Sequence, residues 1–249
     1  MRFLGLGLGD AVPDAKTIWL FREELTEAGV IKKAFREFEA FLCEQGFSAR
    51  KGQIVDASIV PVSRQRNSRE ENRQIQEGEI PEDWSDQKKR QKDTDARRVQ
   101  KNGQNHYGHK NHIDVDVKHK LIRSYEVTPA SVHDSQVFES LLDGDNSSRD
   151  VWADSAYRSE EKVAELKKRQ YREHLQRKGS RHKKLTEREV QGNRMRSRIR
   201  SRVEHVFGVQ AKRAGTLLIR AIGLMRVTVK VGLRNLTYNI NRFCVLSGA

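Results

Sequence analysis

From Ala15 to Gly46 the apolar positions Ile18, Leu20, Phe21, Leu25, Val30, Ile31, Phe35, Phe38, Phe41 and Leu42 recur mostly at helical spacing, with a break near Gly29. The pattern predicts two helices. After Gly46 the signal becomes extended: Ile54 to Val62 predicts a strand ended by Pro61 and polar residues. Residues 63 to 104 lack apolar periodicity and crowd acids with bases, which predicts a solvated insertion, partly disordered or loosely helical. Within it, Trp84 is expected to be a docking contact. Tyr107 to Val117 and Leu121 to Thr128 predict an antiparallel pair joined by a turn around Lys118 to Lys120. Ser135 to Leu142 predicts a short helix capped by Asp134 or Ser135, Val151 to Ala153 a strand, and Ser159 to Arg169 a helix capped by Ser159. Val203, Val206 and Phe207 repeat at three and four residues and predict a helix with one face turned inward. Leu217 to Leu246 reads as a further helix, although Val227, Val229 and Val231 alternate as in a strand.

Three acidic residues interrupt this pattern where an acid is locally unwelcome. They are Asp56 inside IVDASIV, Asp154 closing VWAD, and Glu204 in RVEHVFG. A carboxylate beside strand-forming Val and Ile loses solvation and needs a partner cation. Three such groups brought together could hold Mg²⁺ or Mn²⁺, which favour hard carboxylate oxygens. Each has a plainer reading: Asp56 as a cap on a neighbouring turn, Asp154 as a helix cap, and Glu204 as half of a surface ion pair with Arg200. For Asp154, Ser159 already serves the capping need.

Charge then names the partner. Over the 249 residues the net charge is +14, with an isoelectric point near 9.9. Between Arg177 and Arg202 stand eleven Lys or Arg against Glu187 and Glu189, hence a local net of +9. Such a concentration points to a polyanion, with Arg194, Arg196, Arg198, Arg200, Arg202 and Lys212 as candidate phosphate contacts. Ribosomal RNA would satisfy it as well as DNA. The length allows one sizeable domain plus an appendage, and a charged fraction of 33% is high enough that part of the chain is expected to be solvated insertion.

Cys43 and Cys244 are too few and too distant for a disulfide framework, which fits a reducing cytoplasm. The apolar stretch after Arg2 is stopped by Asp10, too short for a signal peptide, and no run of roughly 18 apolar residues suggests a membrane span. His106, His109 and His112 lie three apart on an extended run, so successive side chains point to opposite faces and a zinc site is not expected. Asp114 and Asp116 share one strand face, where exposed acids are the usual case, and His133 could lie close to the acids.

Taken in order, FLGLGLGDAVPDAKTIWLFRE (3 to 23), GQIVDASIV (52 to 60), KDTDAR (92 to 97), HYGHKNHIDVD (106 to 116), VTPASVHDSQVFESLL (127 to 142), VWADSAYRS (151 to 159) and RSRVEHVFGVQAKRAG (200 to 215) cover nearly the whole chain. This set resembles the DDE transposases of bacterial insertion sequences, in the group that includes insertion sequence five. The resemblance implies an α/β fold of RNase H-like type, a mixed sheet flanked by helices. It assigns 1–50 to a partial N-terminal helical segment and 51–249 to a catalytic domain interrupted by the charged insertion at 63–104. Asp56, Asp154 and Glu204 fall at the family's three acidic stations. There they would hold two Mg²⁺ ions, with Mn²⁺ as substitute, to activate water or a DNA 3′-hydroxyl and to stabilise the leaving oxygen.

The implied activity is DNA transposition: metal-dependent strand cleavage and strand transfer on double-stranded DNA, by a homodimer in the bacterial cytoplasm at the nucleoid. The family's signature around the Glu runs Tyr, two residues, Arg, three residues, Glu, six residues, Lys. Arg200 and Glu204 keep that register, Ser197 replaces the Tyr, and Lys212 comes one residue late. Members of the group usually carry a further helical segment before the FLGL motif, so DNA-end recognition is the capability most exposed here. Two alternatives stand beside transposition: a related DDE nuclease that cuts but never joins, and an inactive remnant that only binds nucleic acid.

Overall fold

In the computed structural model the described residues are 5, 7, 9–63, 65, 67–101, 103–180 and 183–248. The expected helix pair forms as α1 (Ala15–Glu27) and α2 (Ile31–Glu44). Asp14 starts α1 by accepting the Thr17 amide at 2.7 Å, and Gly29, at φ +61°, takes the left-handed turn that separates the two helices.

A six-stranded mixed sheet forms the centre among the described residues. Its strands are β1 (Gln53–Pro61), β2 (Arg97–Lys101), β3 (Gln104–Asp116), β4 (Ile122–Pro129), β5 (Asp150–Ala153) and β6 (Arg172–Leu175). The order runs β2-β3-β1-β5-β6, with β4 also paired to β3. β1 is antiparallel to β3, so Asp56 faces Ile113 across the ladder, and parallel to β5, with Ile54 opposite Trp152. This mixed α/β architecture is of RNase H-like type.

Side-chain alternation along β1 divides the core in two. Ile54, Val60 and Val62 join Ile113, Val115 and Ile122 under α8 (Arg202–Ala214) and α9 (Leu224–Ser247), which contribute Val203, Val206, Val227 and Val231. Val55 faces the other way, into a cluster with Val151, Ala153, Phe138, Leu141, Tyr157, Leu166 and Leu175. That second layer uses α5 (Phe138–Leu141) and α6 (Glu160–Lys168), the latter capped by Ser159 as expected.

Buried amides fasten α9 to the sheet: Asn239 accepts from the Ile122 amide and donates to its carbonyl, at 2.9 and 2.8 Å. Asn111, Gln210 and Asn235 bond one another in the same layer. Gly232 permits the close crossing, since a methyl group there would meet the Tyr125 hydroxyl and Ile31.

Three expectations need revision. The described residues of the insertion take the helical alternative and add a strand: α3 (Arg69–Glu77) and α4 (Asp86–Gln91) precede β2, and Ser68 with Glu71 forms a capping box at the head of α3. The segment after β4 is a 3₁₀ turn, Asp134–Gln136, ahead of α5, and His133 rather than Asp134 or Ser135 caps it. Asp114 and Asp116 are fully buried, because helices α5 and α9 pack on the strand on which exposure was expected. Much of the basic stretch forms α7 (Glu187–Arg200), opened by a Thr186–Glu189 capping box. Trp84 does dock: it is buried, and its indole N–H donates to Glu71 at 2.7 Å.

Candidate active site

Parallel pairing brings the two aspartates side by side. Ile54 and Trp152 are partners, so Asp56 and Asp154, each two residues farther on, emerge at neighbouring positions on strands roughly 4.8 Å apart. Asp56 is enclosed by the sheet and α7, and that burial raises its pKa; the nearby Asp154 charge raises it further, while Arg200 opposes both. The Asp154 side chain accepts the Ala156 amide at 2.7 Å and so starts a 3₁₀ turn, Ser155–Tyr157. Ser159 therefore does not exhaust the capping role weighed for Asp154.

Arg200 is the hub. At the end of α7, it donates from one terminal nitrogen to Asp56 at 2.7 Å and from the other to Glu204 at 3.4 Å. The plain ion pair weighed for Glu204 exists, and the same guanidinium ties it to β1. Glu204 lies in the first turn of α8, its side chain 64% exposed, while Val203 and Val206 on the inward face hold the helix to the core.

The donor chemistry of Asp56 and Asp154, two adjacent carboxylates of which one is half-buried, fits a divalent cation. The position is met here by the Arg200 guanidinium. Among the described residues no group of three or more His, Cys, Asp or Glu side chains stands ready to enclose a metal. Glu204 shares Arg200 with Asp56 rather than an open site.

The remaining basic candidates separate. Arg194, Arg198 and Lys212 are exposed, and Arg202 donates to the Val117 carbonyl at 2.8 Å. Arg196 is half-buried, with its Nε lacking a hydrogen-bond partner. Beside Ser155 and Arg158 an open cleft of about 480 Å³ carries Arg177, Lys178, Lys183 and Lys184. Its wall is fixed to α7 through the Arg177–Glu189 ion pair at 2.9 Å and the Asn193 side chain, which bonds both backbone groups of Arg177. Cationic surface thus runs up to Asp154.

Sequence reasoning missed the layer behind the acids. Tyr157 is fully buried, its hydroxyl has no hydrogen-bond partner, and burial together with the charges of Asp134, Asp56 and Asp154 pushes its pKa well up. Asp134 is held by Lys110 at 2.7 Å. His112, within 3.9 Å of Asp134, is pulled down to about 4 by burial. The SVHDS and SAY segments carried that signal, since polar residues there flank two predicted elements that meet at one strand end. His133 serves the turn and Ser135, at 2.8 Å.

Residues 48–240 match the family described as "Transposase DDE domain". The chain is also 30% identical over 224 residues to the transposase for insertion sequence element IS1106 of Neisseria meningitidis serogroup B, covering 88% of this chain and 75% of that protein. No solved structure matches.

Proposed function

The chain belongs to the DDE transposase family of bacterial insertion sequences, and from that premise we propose that Asp56, Asp154 and Glu204 are the catalytic carboxylates of an enzyme that cleaves and rejoins DNA strands. Family members of this kind act on DNA and depend on divalent metal; the finer assignment to Mg²⁺, replaceable by Mn²⁺, is ours. The observation that carries the reading is Arg200, which links the β1 aspartate to the α8 glutamate while a second aspartate stands just past the end of the adjoining strand.

When bound, a divalent cation supplies activation of the attacking water or 3′-hydroxyl and charge stabilisation for the leaving oxygen. Asp56 and Asp154 provide the negative charge that holds it, and Glu204 completes the set. Arg200 is the donor best sited for the phosphodiester, and its transfer from Asp56 to a phosphate frees that carboxylate. Arg194, Arg196, Arg198, Arg202 and Lys212 hold the flanking backbone without reading sequence. We assign the chain to the insertion sequence five group, acting as a homodimer on DNA in the cytoplasm at the nucleoid. In this reading the helical segment 1–50 supports the catalytic domain 51–249. Among the described residues no helix is long and apolar enough to cross a membrane.

The engagement of Glu204 with Arg200 favours one second reading, a chain that binds DNA without cutting it. Nicking of supercoiled plasmid in Mg²⁺ or Mn²⁺, compared between wild type and Asp154→Ala, separates the two. Nicking by wild type alone supports catalysis. DNA binding by both proteins with nicking by neither leaves the binding-only reading.

A further inference from the structure

A second cationic cleft, of about 730 Å³, opens where α1 and α9 meet the far end of β1. Its lining at Val62 is six residues beyond Asp56, roughly 20 Å along an extended strand, so it is separate from the carboxylates. Among the described residues it gathers Arg22, Arg90, Lys92, Arg220, Arg226 and Lys230 against two acids. Both acids are spoken for. Glu23 is paired with Arg226 at 2.7 Å, and Asp93 is buried, accepting the Asp95 and Ala96 amides and lying 3.4 Å from His109.

Two of the cations, Arg22 and Lys230, line the same cleft and oppose each other's charge, with Glu23 offsetting part of it. Arg22 Nε is buried and has no hydrogen-bond partner. Lys230 donates to the Arg220 carbonyl at 2.8 Å, and burial, together with the Arg22 charge, depresses its pKa. Placing like charges together in a half-buried cleft costs free energy that a bound anion would recover. Trp19, 50% exposed, stands at the same cleft and offers an aromatic face beside the charges.

We propose that this cleft binds a phosphate group of the DNA backbone, with Arg22 and Lys230 as its principal donors. The inference rests on the reading of the chain as a DNA-acting enzyme and adds a second anchoring point to it. At 3.4 Å per base pair, a duplex reaching from Asp56 to this cleft spans about six base pairs. A phosphate carried by a free nucleotide presents the same chemistry, and inorganic pyrophosphate serves as its probe.

Trp19 supplies the readout, because Trp84 and Trp152 are buried, at 2% and 7% exposure. Acrylamide quenching of the full chain is measured alone, with a duplex several turns long, and with pyrophosphate, while fluorescence anisotropy of labelled DNA reports binding independently. The expected result is that DNA shields Trp19 and that Arg22→Gln with Lys230→Gln abolishes the shielding. The salt dependence of DNA affinity should then flatten by about two phosphate contacts. Arg22→Lys with Lys230→Arg, which keeps both charges, should restore shielding and guards against misfolding of the Gln pair. DNA that binds by anisotropy yet leaves Trp19 open overturns the proposal without touching the catalytic reading. So does shielding by pyrophosphate but not by DNA, or shielding that survives the Gln pair.

Discussion

A carboxylate that loses its water on folding must be given a cation, and Asp56 has Arg200. Removing the guanidinium leaves that carboxylate in a site that already disfavours its charge. Arg200→Ala should therefore destabilise the protein by about 1–3 kcal/mol, below the loss for a fully buried pair because Arg200 remains partly exposed. Asp56→Asn in the same background should return most of it. Denaturant midpoints for the two single variants and the double variant check this, and additive losses would contradict the coupling. Asp114 presents the opposite case, a fully buried carboxyl whose desolvation, with the charges of Asp143 and Asp116, outweighs the help of Arg123 and the Val115 amide. Burial holds its pKa well above the ordinary 3.8. Above that ordinary value the unfolded chain has released the proton while the folded one retains it, so stability present at lower pH is lost as pH rises toward the folded pKa. Relative to Asp114→Asn, the wild type should lose up to about 1.4 kcal/mol per pH unit across that window. Stability curves for the two proteins that stay parallel as pH rises above the ordinary carboxylate range would overturn the assignment.

At the scale of elements, the charged insertion shows what a lone aromatic can organise. Trp84 is buried against α3, donates to Glu71 and lies under the ammonium groups of Lys88 and Lys92, at 5.0 and 5.7 Å from its ring centre. Trp84→Ala should remove about 3–5 kcal/mol of local stability. Amide exchange across residues 69–91 should rise while the β1–β3 ladder stays protected; uniform exchange would refute the local role. The two N-terminal helices, β1, the β3–β4 pair, β5, α6 and α8 were legible because each carries an apolar period or a cap. The elements that escaped carry no apolar period. β2 (RRVQK) lies at one end of the sheet order and leaves most of its side chains in solvent, and β6 (REHL) is four residues long. α7 has no buried residue, so its helix is fixed by the Thr186–Glu189 box and by Arg200 rather than by an inward stripe. Asp56, Asp154 and Glu204 could be picked out as displaced acids and the Arg200–Glu204 pair as a local one, whereas the reach of Arg200 to Asp56 joins residues 144 apart, which no local pattern encodes.

Across the whole molecule, positive charge is concentrated in particular surfaces rather than spread evenly. Of the net +14, +9 falls between Arg177 and Arg202, and the part nearest the acids is engaged: Arg200 with Asp56 and Glu204, Arg202 with the Val117 carbonyl, Arg177 with Glu189. Arg194 and Arg198 remain exposed on α7. Exposed cations that meet phosphate displace condensed counterions, and the logarithm of affinity falls with the logarithm of salt by about 0.9 for each phosphate neutralised on duplex DNA. Arg194→Gln with Arg198→Gln should therefore weaken binding by a similar factor on any duplex sequence and lower the salt slope by about 2. On the proposed assignment, in which its carboxylate holds the cation rather than the backbone, Asp154→Ala should leave that slope unchanged while abolishing nicking. Anisotropy titrations of one labelled duplex over a range of salt concentrations measure all three proteins. An unchanged slope in the Arg pair would move the backbone contact off α7, toward the lysines beside Ser155.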